Sequence, residues 1–87
     1  MNPLVRRMQR FRDIIHEHVP SASVVQVSFL DDRQHRFRVR VQFVDTLAAP
    51  NYEHHGRLGI RHLDNQEFEH AARIVAEEIR TTLEGLL

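Results

Sequence analysis

Cysteine and lysine are both missing from the 87 residues, and each absence closes off chemistry. Without cysteine there is no disulfide framework, no thiolate nucleophile, no thiolate zinc site and no cysteine-held iron–sulfur cluster. Without lysine there is no Schiff-base chemistry, no P-loop lysine and no anchor for pyridoxal phosphate. Apolar runs are only a few residues long, so no membrane-spanning helix is expected. The N-terminal stretch Met1–Arg7 lacks the apolar region of a signal peptide, which makes a cytoplasmic protein the default. Tyrosine occurs once, and the three serines, Ser21, Ser23 and Ser28, lie in or just before the first expected strand, outside any nucleophile-elbow pattern. Neither catalysis nor a cofactor is expected from such an inventory.

What is present describes one small domain, residues 1–87, with 41% apolar and 28% charged residues. A chain this short buries only about 60–65% of its unfolded surface, so its stability is marginal or shared with a partner. Formal net charge is zero, yet the charge is polarised. Residues 1–40 hold eight Arg against four acids, +4, and residues 64–87 hold six acids against two Arg, −4. Such a chain can present a basic face without a basic average, or pair head to tail with a copy of itself.

Residues 3–18 have the period of an amphipathic helix. Pro3 suits its first turn, and Leu4, Met8, Phe11, Ile15 and Val19 share one face, flanked by Val5 and Ile14. Pro20 stops it. In Ser23–Leu30, Val25, Val27 and Phe29 alternate with Gln26 and Ser28. In His35–Val44, Phe37, Val39, Val41 and Phe43 alternate with Arg36, Arg38, Arg40 and Gln42. Asp31–Gln34 fits the turn of an antiparallel hairpin between these two strands. Residues 45–63 carry little pattern; Ala48–Asn51 reads as loop and Arg57–Leu63 as a short third strand. Asp64 and Glu67 form a capping box opening a last helix, with Phe68, Ala72, Val75, Ile79, Leu83 and Leu86 as its buried stripe. The expected fold is an α+β two-layer sandwich, helix–strand–strand–(strand)–helix, with both helices on one face of a small antiparallel sheet.

Three sets of residues carry functional hypotheses. Arg36, Arg38 and Arg40 stand about 7 Å apart on one strand face, near the spacing of successive phosphates, and their plain alternative is a solvated strand face. The seven histidines include the i, i+3 pairs Asp13/His16 and Glu67/His70 and the trio His54, His55 and His62, but no ligand set has metal-site spacing, so no metal is expected. Gly56-Arg57-Leu58-Gly59 is similar to the loop by which KH domains clamp a nucleic-acid backbone. The helix and two strands before it follow the opening order of the bacterial-type KH fold, although Asn51–His55 makes a poor core helix. The helix–three-strand–helix outline also looks like a double-stranded RNA-binding domain, with His35 and Phe37 placed for that family's hairpin. At the start of its second helix, however, Asp64-Asn65-Gln66-Glu67 stands where that family has a lysine cluster, and would repel phosphate. These resemblances imply RNA binding; the plain alternative is two glycines turning a loop.

Two functions follow. The first is a small non-catalytic protein-binding and assembly protein, cytoplasmic or phage-type, forming a homo-oligomer through Val5, Ile14 and Ile74 and binding another protein. The alternative is nucleic-acid (RNA) binding through Arg36, Arg38, Arg40 and Arg57.

Overall fold

A computed structural model describes residues 3–31, 35–43 and 51–86. The order is α1 (Pro3–His18), β1 (Val24–Asp31), β2 (Arg36–Gln42), β3 (Tyr52–Arg57) and α2 (Asn65–Leu86). The strands form one antiparallel sheet in the order β1-β2-β3. Both helices pack on one face of it, as the hydrophobic periods require.

The hairpin follows from its alternation. Val25 pairs with Val41, Val27 with Val39 and Phe29 with Phe37, so these six alternating apolar residues face the helices, while Val24 and Leu30 at the ends of β1 do not. Register shifts between Phe29 and Asp31, where a bulge leaves Leu30 unpaired. His35 begins the return in the left-handed region at φ 56°, and its carbonyl accepts from Leu58 N–H at 2.8 Å, tying the end of β3 to the turn. The central part of the expected turn, Asp32–Gln34, lies outside the described residues, as do Val44 and Ala48–Pro50 of the expected strand end and loop.

The third strand differs from expectation. It runs over Tyr52–Arg57 rather than Arg57–Leu63. Tyr52, His54 and Gly56 take the core-facing positions opposite Val41, Val39 and Phe37. None of the three is a conventional core aliphatic, which hid the period. Gly56 is required there: a Cβ would meet the Phe37 ring at 2.8 Å. The ring packs over the glycine and supplies the bulk that the glycine lacks.

The core is built around Phe11, fully buried, with ring centroids 5.2 Å from Phe37, 6.3 Å from Phe29 and 6.5 Å from Phe68. Ile14, Ile15, Val39, Val41 and Ile79 complete it. Ile14 was expected at an oligomer interface; it is instead fully buried within the chain. The reason is that α1 touches two neighbours, the sheet and α2, so an apolar arc of nearly half its circumference is covered without a second copy. The capping box of α2 forms as expected, with Asp64 Oδ1 accepting from Glu67 N–H at 2.8 Å and Glu67 Oε1 from Asp64 N–H at 3.0 Å. The bond from Glu67 N–H holds the Asp64 carboxyl below its ordinary pKa.

Ion pairs between the helices rise along both together, which makes α1 and α2 parallel. Arg7 donates to the Ile60 carbonyl and to Asn65 Oδ1 at 3.2 Å, with its guanidinium 5.4 Å from the Phe68 ring centre. Arg10 grips Glu69 with two nitrogens, at 2.6 and 3.2 Å. Arg73 reaches Glu17 at 3.7 Å and Glu69 at 3.6 Å, and His18 faces Glu77 at 3.9 Å. The opposite charges of the two chain ends therefore meet inside one chain. No helix among the described residues is long and apolar enough to cross a membrane.

Candidate functional site

The face of the sheet turned away from the helices collects the four arginines singled out from the sequence. Arg36, Arg38 and Arg40 project there from β2 because Phe37, Val39 and Val41 are committed to the core. Arg57 joins them from β3, directly opposite Arg36. Its neighbours on β3 are His55, opposite Arg38, and Glu53, opposite Arg40. From β1 come Gln26 and Ser28, opposite Arg40 and Arg38. With strand residues of one face about 6.8 Å apart and strands about 4.8 Å apart, the four guanidiniums spring from a patch roughly 14 Å by 5 Å.

Its electrostatics are one-sided. Glu53 lies 3.3 Å from Arg40 and 3.7 Å from Arg38. It is the one acid among the described side chains that pairs with either of them; Arg36 stands opposite Asp31 of β1 in the register. The juxtaposition of Arg36 with Arg57 works against the sheet, since like charges directly opposite are destabilising. Every one of these side chains reaches water, so an anion can approach without displacing protein. No Phe or Tyr of the three strands stands on this face; the aromatic positions all turn inward.

Other expected sites come apart. Gly56 sits inside β3, and Gly59 follows the buried Leu58, so the two glycines do not bracket an exposed loop. The first is explained by Phe37, which leaves the KH-like reading of this segment without its geometry. His54 and His55 point to opposite faces of β3, and the His62 ring lies 5.1 Å from that of His35. His16 Nε2 donates to the Ala22 carbonyl at 3.0 Å, and His18 Nδ1 to that of Ile14 at 3.0 Å. Among the described residues no three His, Asp or Glu converge to hold a metal ion. Val5 and Ile74 belong to separate grooves with no lining residue in common.

One feature was missed. The His54 side chain is only 15% exposed and lies between Tyr52 Oη, 2.9 Å from its Nδ1, and Glu78, 3.6 Å from its Nε2. Burial lowers its pKa, with Glu78 opposing and His55 reinforcing the shift. The alternation of Tyr52, His54 and Gly56 against Glu53, His55 and Arg57 was the available signal. Comparison of the chain with protein-family models, with curated proteins and with solved structures finds no match.

Proposed function

We propose that this chain is a non-catalytic cytoplasmic binding module that holds a nucleic-acid backbone against the open face of its sheet. The observation that carries this reading is the gathering of Arg36, Arg38, Arg40 and Arg57 on the sheet face turned away from the helices. Arginine forks suit phosphate oxygens, and the ladder spacing matches successive phosphates. The strands place no Phe, Tyr or Trp on that face, and His55 is its one ring, which argues for mainly backbone contacts and weak dependence on sequence. Protein assembly, the other expectation, loses Ile14 to the core and finds Val5 and Ile74 apart.

Fluorescence anisotropy with single-stranded RNA and DNA homopolymers over a salt series tests the proposal. Four phosphate contacts give a logarithmic salt slope near −3, with similar affinity for different bases. Binding that is absent at low salt, or that ignores salt, overturns it.

A further inference from the structure

The two edges of the sheet are unlike. β3 carries Glu53, His54, His55 and Arg57 within its six residues, whereas β1 has no charged side chain from Val24 through Leu30. Proteins usually blunt an edge strand with charge or proline, because its unpaired N–H and C=O groups otherwise template another strand. The bulge at Leu30 and the charged Asp31 beside it interrupt this edge at one end and leave Val24–Phe29 unguarded.

We propose that two copies of this chain join through their β1 edges, antiparallel about a dyad at Val27, into one six-stranded sheet. The sequence of β1 is self-complementary in that register. Val25 comes opposite Phe29 on the core side, while Gln26 meets Ser28 and Val24 meets Leu30 on the open side. Leu30, 47% exposed in the single chain, thereby gains an apolar neighbour. A slip of one residue would turn the two helical layers to opposite faces, so this parity is the one that keeps a common core side. Beside β1 runs a groove whose apolar lining is Val5, Met8, Val25 and Val27, with Val5 41% exposed, and whose remaining lining is Arg12 and three uncharged polar side chains. The helical layer of the second copy covers it.

The area suffices for a modest dimer. An edge about 25 Å long and two layers, roughly 20 Å, deep presents on the order of 500 Å² per copy. The total, about 1,000 Å², stands at the lower bound for a specific interface and fits micromolar association. Dimerisation also puts both Arg ladders on one continuous face, with the two β2 strands about 14 Å apart. The pairing itself rests on β1 and α1 and stands or falls apart from nucleic-acid binding.

Sedimentation of the full chain without nucleic acid, from micromolar to near-millimolar concentration, tests it. The 10.3 kDa species is expected to give way to one of twice that mass. The double variant Gln26→Glu/Ser28→Glu places acids opposite Arg40 and Arg38 within each copy, which favours the fold, and opposite one another across the dyad. It should stay folded by circular dichroism and associate at least about tenfold more weakly. Leu30→Ser should weaken association independently. Hydrogen exchange in β1, and not in β3, should slow as concentration rises. A wild-type monomer throughout, a dimer indifferent to both variants, or protection that appears on β3 instead, overturns the proposal.

Discussion

On the helical layer four of the six arginines, Arg10, Arg12, Arg73 and Arg80, are met by acids; on the open face of the sheet Arg38 and Arg40 share one acid and Arg57 has none among the described residues. Arg10, Arg73 and Glu17 share a network with Glu69, and Arg80 lies between Glu77 and Glu84. The difference teaches where the charge of this neutral chain is spent. Exposed pairs of the first kind are each worth about 0.2–1 kcal/mol and are screened by salt. They fix α1 beside α2, and they raise Arg10 and lower Glu69 relative to their ordinary pKa values through the hydrogen bond they share. The second kind contributes little to the fold and leaves a cationic surface available to a ligand.

Substitution separates the two faces of the sheet by the size of its effect. Phe11→Ala removes the ring against which Phe29, Phe37 and Phe68 pack, and should cost about 3–5 kcal/mol. In so small a domain that is enough to abolish the cooperative thermal transition, and a transition shifted by only a few degrees would place the core elsewhere.

The glycines give the next largest contrast. Gly56→Ala forces a Cβ against the Phe37 ring and should cost about 1–3 kcal/mol. Gly59→Ala meets only Leu63, at 4.0 Å, and no glycine has positive φ. It should be neutral or stabilise by up to about 1 kcal/mol, with nucleic-acid affinity unchanged. Loss of binding in Gly59→Ala with the fold intact would restore the clamp reading of this segment.

A smaller effect should appear with pH. The folded-state pKa of His54 lies below its ordinary value near 6.5 because the ring is buried. The unfolded chain therefore binds more protons as pH drops below about 6.5. Stability is complete above that value and declines as pH falls through the folded-state pKa. Denaturant unfolding from pH 8 to 5 should show this decline, and His54→Gln should flatten it. The carboxylates of Glu69 and Glu77, held low by Arg10 and Arg80, add their losses only at more acidic pH. An unchanged slope in the variant would remove His54 from the account.

Much of this architecture was legible because its periods are strict. The alternation of Arg36 through Phe43 decides which side chains face the core, and with them the three-arginine ladder. The Asp64/Glu67 box and the Phe68–Leu83 stripe likewise mark α2. β3 escaped because its inner positions are filled by a tyrosine, a histidine and a glycine whose fit depends on partners far away in sequence. Phe37 supplies the bulk over Gly56, and Glu78 and Tyr52 satisfy His54. With β3 displaced, Glu53 and His55 could not be assigned to the open face, and Arg57 was singled out for its glycine neighbours rather than for its place opposite Arg36. Ile14 was misjudged because a helix flank looks surplus until both of its neighbours are known.

The central claim is that the open sheet face binds phosphate through its arginines, and the salt dependence of the triple variant Arg36→Gln/Arg38→Gln/Arg40→Gln tests it most directly. The three replaced side chains alternate with the buried set, so each should change stability by no more than about 0.5 kcal/mol. Affinity for a single-stranded homopolymer should drop, and the logarithmic salt slope should flatten by about 2–3 units, while Arg73→Gln on the helical layer leaves both as they were. A folded triple variant with the wild-type slope would contradict the account.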